Sequence, residues 1–152
     1  MSDAAVADVR PDGLTFLRAL LERGEQPAIG RTLEFSLVEI EPGRAVFAGE
    51  PGRSVYNPIG TVHGGYAAAL LDSACGCAVH SKLRGDQGYT TLELKISYHR
   101  PLTDTTGPVR AEGTILQLGR RAAFAEAKLT DAAGKLYASA TSTLLVFDVL
   151  GN

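Results

Sequence analysis

Asp72 is the one charged residue between Gly64 and His80, a stretch made mostly of Gly, Ala, Ser and Cys. Small and apolar residues fall on every side of a helix built from it, which predicts a helix buried all round. A carboxylate inside such a helix costs several kcal/mol unless it is paired or hydrogen-bonded. Its sequence neighbours Leu70, Leu71, Ala74 and Cys75 offer no partner, and neither do Ala68, Ala69 or Gly76 one turn away. Two readings remain open: Asp72 caps or pairs with a distant Arg or Lys, or it is kept for chemistry.

His63-Gly64-Gly65 stands where this helix would begin. Glycine lets a ligand approach the backbone closely. The first N–H groups of a helix lack intrahelical partners, and the helix dipole is positive there. A developing oxyanion suits that position, and one such donor is worth about 10²–10³ in rate. Asp72 follows Gly64 by eight residues, which is roughly 12 Å along a helix. A base, a water and a carbonyl held by a backbone donor connect through steps of about 3 Å and barely span that length. Two antiparallel copies of the helix would set Gly64 of one beside Asp72 of the other. The expectation is a homodimer with two equivalent sites shared between chains.

The elements that must position these groups follow from periodicity. Residues 1–11 read as a flexible tail and 12–150 as one domain. Asp12 caps a short helix carrying Leu14, Leu17, Leu20 and Leu21, with Gly24 at its stop. Thr32 to Ile40 alternates as a strand, Glu41-Pro42-Gly43-Arg44 is a turn, and 45–49 resumes the extended pattern. After a Pro- and Gly-containing connector, a helix is expected from Tyr66 to Leu83. Strands are then expected at Thr90–Tyr98, Pro108–Leu118, Ala122–Thr130 and Leu136–Phe147, with hairpin-length links favouring antiparallel pairing. The sum is an α+β domain: about six antiparallel strands, one long buried helix and a short N-terminal helix.

Asn57-Pro-Ile-Gly60-Thr-Val-His63-Gly64-Gly65 followed by Leu71-Asp72 resembles the hotdog-fold acyl-CoA thioesterases, in particular the phenylacetate-pathway (PaaI-like) branch. The similarity extends over about residues 30–147 and includes Lys95-Ile96-Ser97-Tyr98 and Arg100-Pro101. The resemblance implies a sheet wrapped around the long helix, with dimers that often pair into tetramers. It implies that the Gly64 N–H polarises a thioester carbonyl and that Asn57 orients the carbonyl or the water. His63 would hold the loop and Asn57 in place. Asp72 of the other chain would activate water or attack directly, assisted by the Thr91 hydroxyl. Gly76, and Asp rather than Glu at position 72, both separate this chain from a different aryl-CoA branch.

Coenzyme A would bring phosphates. Arg120-Arg121 is a candidate clamp, with Lys82 and Arg84 as further candidates, because charge-assisted bonds to phosphate oxygens suit these side chains. Gly65 would line the substrate site, and Tyr66, Leu70 and Tyr89 are candidates for the acyl pocket. No cofactor is expected. The three histidines and two cysteines lack metal-ligand spacing, and no GxSxG elbow is present. Cys75 and Cys77 read as buried, unpaired thiols.

The net charge of −2, from 15 basic and 17 acidic residues, points away from a nucleic-acid partner. With neither a signal-like N-terminus nor a span-length apolar run, a cytoplasmic location without membrane contact is expected. The leading function is hydrolysis of an aryl or medium-chain acyl-CoA. Alternatives are a non-catalytic acyl-CoA binder or sensor, and a hotdog enoyl-CoA hydratase.

Overall fold

The computed structural model describes residues 10–149; the remainder of the expected tail, 1–9, and residue 150 lie outside the described residues. Helix α1 spans Gly13–Arg23. The Asp12 side chain accepts from the Thr15 N–H at 2.8 Å, and Gly24, at φ 65°, closes the helix in the left-handed conformation. Both ends are as expected, because cap and stop residues act locally.

The strand expected from Thr32 begins later. Ala28–Leu33 forms a short helix, α2, and strand β1 covers only Phe35–Glu41. Pro27 starts α2, its carbonyl accepting from the Gly30 and Arg31 N–H groups. Glu34, at φ 58°, then turns the chain out of the helix. A helix of under two turns is too short to show a helical period, so Leu33 was read as part of the strand alternation. Strand β2, Arg44–Gly49, pairs with β1 across the expected turn.

Helix α3 runs Gly64–His80, starting two residues before the expected Tyr66 and stopping short of Leu83. Strands β3 (Gln87–Tyr98), β4 (Val109–Leu118), β5 (Ala122–Asp131) and β6 (Leu136–Asp148) follow. All pairings are antiparallel, in the order β1-β2-β4-β5-β6-β3. The expectation of hairpin links among the last four strands fails once. Strand β3 pairs with β6 rather than β4, and residues 99–108 carry the chain across to join β4 beside β2. This leaves β3 as an edge.

The sheet curves around α3, giving the hotdog fold. Its inner face is largely alanine: Ala111, Ala123, Ala125, Ala127, Ala138 and Ala140 are all buried. Gly113 lets the α3 backbone at Ala74–Cys75 lie directly on β4, where a Cβ would collide. Leu70, Leu71 and Val79 are fully buried, each such side chain contributing roughly 1.5–3 kcal/mol. The sheet does not enclose α3 completely, contrary to the reading of a helix buried all round. Gly65, Ala68, Ala69, Asp72 and Ser73 remain partly open, a stripe along one helix face.

Tyr66, a candidate for the acyl pocket, lies in the core. It is 3% exposed, and its hydroxyl lies against Gly49, beside Phe35. That hydroxyl has no hydrogen-bond partner among the described residues. Burial raises its pKa to about 12. Removing an unpaired buried polar atom should not destabilise. Tyr66→Phe is therefore expected to leave stability unchanged or raise it by up to about 1 kcal/mol in urea unfolding. A clear loss would mean that the hydroxyl is hydrogen-bonded after all.

Candidate active site

Two segments converge on the start of α3. The connector after β2 contains one 3-10 turn at Arg53–Val55. The His63 N–H donates to the Val55 carbonyl at 2.7 Å and the Val62 N–H to the Leu102 carbonyl at 2.9 Å. Outside this crossing, the Arg53 guanidinium and Tyr56 hydroxyl both donate to the Asp104 carboxylate at 2.8 Å. Those two bonds hold the Asp104 carboxyl below the usual carboxylate range. The connector is thereby clasped to the 99–108 crossover.

Asn57 shapes the loop that leads to the helix. Its side-chain oxygen accepts from the Ile59 and Thr61 N–H groups at 3.1 Å, and its amide donates to Thr61 Oγ1 at 2.9 Å. Gly60, at φ 87°, makes the tight return possible. His63 is not bonded to Asn57. It is the N-cap of α3, with Nδ1 accepting from the Gly65 N–H at 2.8 Å. The expected role of His63 as a holder of Asn57 is thus carried by Thr61, and His63 instead caps the helix.

This cap separates the two glycine amides. The Gly65 N–H is engaged by His63, whereas the Gly64 N–H donates to nothing among the described residues. Gly64 borders a cleft of about 330 Å³ lined also by His63, Ala67, Tyr98, Arg100 and Leu102. Tyr98 went unassigned at the sequence level. Its hydroxyl donates to the Gly64 carbonyl at 2.7 Å, and a Cβ on Gly64 would lie 3.0 Å from that hydroxyl. Burial raises the Tyr98 pKa, so it stays a donor. Its place in the Lys95-Ile96-Ser97-Tyr98 run of the family resemblance is the signal it carried in the sequence.

Asp72 and Thr91 are brought together. The Thr91 hydroxyl donates to Asp72 Oδ1 at 2.8 Å, and both residues are half-buried. The partner missing from the local sequence therefore comes from β3, and it is neutral. No Arg or Lys pairs with Asp72 among the described residues. Within one chain, Gly64 and Asp72 stay roughly 12 Å apart along α3, Asp72 on the partly open stripe and Gly64 at the cleft beside Tyr98.

Residues 59–138 match the thioesterase superfamily. The chain belongs to that family. This thioester hydrolase is 31% identical to acyl-coenzyme A thioesterase 13 of Mus musculus, over 77% of this chain and 84% of that protein. It is 26% identical to the 1,4-dihydroxy-2-naphthoyl-CoA hydrolase of Listeria monocytogenes, over 76% of this chain and 92% of that one. A variant of the phenylacetic acid degradation protein PaaI from Thermus thermophilus superposes with a TM-score of 0.71 at 32% identity, covering 78% of this chain and 98% of that one. No described helix is long and apolar enough to cross a membrane.

In this thioesterase neither cysteine is suited to attack a thioester. Burial pushes the Cys75 and Cys77 thiols up to about 12, so each is almost wholly protonated at neutral pH. Of the basic candidates, Arg84, Arg120 and Arg121 line one groove of about 580 Å³ with Gln87 and Asp148. Arg84 is held there by Asp86 at 2.9 Å and Asp148 at 3.7 Å, while the Arg120 and Arg121 guanidinium groups have no partner among the described residues. Lys82 is exposed and stands outside that groove.

Tyr98→Phe removes one hydrogen bond from the Gly64 peptide and no apolar bulk. Thioester turnover is expected to fall about fivefold, the equivalent of about 1 kcal/mol. Unchanged kcat would show that Gly64 is positioned without it.

Proposed function

We propose that this thioesterase hydrolyses acyl-CoA, with an aryl or medium-chain acyl group, in a homodimer whose two sites each join Gly64 of one protomer to Asp72 of the other. The observation that carries this reading is an unengaged Gly64 N–H at the start of α3 and a Thr91-bonded Asp72 on its open stripe, too far apart to cooperate in cis. The stripe consists of small residues, so a second α3 can approach it closely. Strand β3, an unpaired edge of 12 residues, can continue the sheet into the partner. Phe124, Leu145 and Phe147 are exposed on the outer side of the sheet, an apolar patch that favours pairing of dimers into tetramers.

In the reaction, the Gly64 N–H donates to the thioester carbonyl oxygen and stabilises the charge that develops there. Asp72 takes a proton from water as the water oxygen bonds to the carbonyl carbon. Thr91, donating to Oδ1, fixes the carboxylate and leaves Oδ2 to face the water. The tetrahedral intermediate then breaks its C–S bond, and the thiolate of CoA recovers the proton from Asp72. Asn57 shapes the loop that carries His63 and Gly64. Phosphates of CoA occupy the groove of Arg84, Arg120 and Arg121, where Gln87 lies roughly 14 Å along β3 from Thr91. The site is proposed to work in the cytoplasm, where buried thiols such as Cys75 and Cys77 stay reduced.

A thiol-release screen over acyl-CoA esters tests this. Release of CoA from an aryl or medium-chain ester is expected. Saturable binding without thiol release, or loss of enoyl absorbance without it, would replace hydrolysis by another chemistry.

A further inference from the structure

Two residues of β3 reach α3. The Thr91 hydroxyl bonds the Asp72 carboxylate at 2.8 Å, and the Tyr98 hydroxyl bonds the Gly64 carbonyl at 2.7 Å. They stand seven residues apart on the strand. In a regular strand, residues an odd number apart point to opposite faces. A bulge resolves the conflict. Thr91 pairs with Leu144 of β6 and Glu93 with the adjacent Thr143, so Leu92 is an extra residue without a partner on β6. Leu92 is 61% exposed, while Tyr89 before it and Leu94 and Ile96 after it all pack against the core.

One buried hydroxyl ties this bulge. The inward row of β6 reads Ala138, Ala140, Ser142, Leu144 and Val146, all buried. Ser142 is the one polar side chain in that row, and its hydroxyl donates to the Glu93 carbonyl at 2.9 Å, just past the extra residue. The register also steps between β1 and β2, between β4 and β5, and between β5 and β6. Among the described residues, only the β3 step has its backbone bonded by a side chain of the paired strand.

We infer that Ser142 is a positioning residue for thioester hydrolysis: by fixing the extra residue at Leu92, it holds Thr91 against Asp72 and leaves Tyr98 facing Gly64. The inference rests on the roles given above to Asp72 and Gly64. Moved ahead of Thr91, the extra residue turns that hydroxyl away from α3. Moved past Glu93, it turns the Glu93 carboxylate toward the core. Within the chain β3 bonds only to β6, so no second ladder holds the step in place. A hydroxyl among apolar side chains is unfavourable unless bonded, and this one makes its bond where the strand can slip. In the proposed dimer the Asp72–Thr91 pair serves one site and the Gly64–Tyr98 pair the other, so a single bulge sets elements of both.

Ser142→Ala fits an inner face already lined by alanine. It is expected to lower kcat for thiol release about tenfold, with KM within about twofold of the unaltered value. Ser142→Thr keeps the hydroxyl and Ser142→Val replaces it at equal bulk, so kcat should be about fivefold higher in the first than in the second. Thr91→Val removes the bond to Asp72. In that background Ser142→Ala should cost less than about twofold, since both changes act through one contact. Unchanged kcat in Ser142→Ala, equal activity of the Thr and Val variants, or the same loss with and without Thr91 would overturn the inference. Should Ser142→Ala fail to fold, the comparison of Thr with Val decides. Deuterium uptake, which needs no substrate, is read beside turnover. In Ser142→Ala it should be at least about tenfold faster over residues 87–94 and unchanged over 109–118. Unchanged uptake over 87–94 refutes the lock whatever the activity. Faster uptake there in a protein that releases thiol from no acyl-CoA removes the acyl-CoA reading, and the role in turnover with it, but not the lock on the bulge.

Discussion

Asp72→Asn is expected to lower kcat by at least about 10²-fold with the protein folded and its oligomeric state unchanged, the loss typical of a general base. The substitution is nearly isosteric, and the asparagine side-chain oxygen can still accept from the Thr91 hydroxyl that now bonds Oδ1. Position 72 is half-buried on the open stripe of α3, so the change leaves no core cavity. What disappears is the capacity to accept a proton from water. Steady-state thiol release by the purified variant, read beside its elution volume, checks this. Turnover near that of the unaltered protein would remove Asp72 from the chemistry. Incorporation of labelled oxygen in a single turnover then separates the two uses of the carboxylate: label in the product acid alone for a base, label in the protein for a nucleophile.

Gly64→Pro is expected to cost about 10²–10³ in kcat, the amount associated with losing one oxyanion donor. Proline deletes the N–H and little else at this position. Gly64 is the first residue of α3, where proline is well tolerated. His63 before it, at φ −59° and ψ 135°, already has the extended backbone that a following proline requires. The added Cβ would sit 3.0 Å from the Tyr98 hydroxyl, and Gly64→Ala makes the same contact while keeping the donor. The difference between the Pro and Ala variants therefore isolates the N–H. Equal activities in the two would assign oxyanion stabilisation elsewhere.

Elements with strong local signals were legible without coordinates. Asp12 and Gly24 bound α1, Gly43 turns β1 into β2, and the small-residue run of α3 marks the buried helix. What could not be read was set by contacts distant in sequence. The placement of β3 beside β6 depends on the 99–108 crossover, which carries no pairing code of its own. The brief α2 and the left-handed Glu34 escaped because a single turn cannot display a period.

The site divides in the same way. Asp72 and Gly64 stood out because each breaks the pattern around it, and Thr91 entered only through the family resemblance before its hydroxyl was found against Asp72. The burial of Tyr66 was not legible, because an aromatic residue next to a glycine motif looks alike whether it faces a ligand or the core. Tyr98 acts through one hydrogen bond across 34 residues and the Asp104 clasp through two, across 48 and 51, which no local pattern records.

Subunit complementation asks most directly whether Gly64 and Asp72 meet across two chains. Asp72→Asn and Gly64→Pro chains, each inactive alone, are unfolded together and refolded as an equal mixture. Half of the dimers then contain one chain of each kind, and every such dimer holds one site with both groups intact. About a quarter of the unaltered activity per chain is expected to return. If the mixture stays as inactive as its components although mixed dimers are present, the two groups do not work across the interface, and the shared site is wrong.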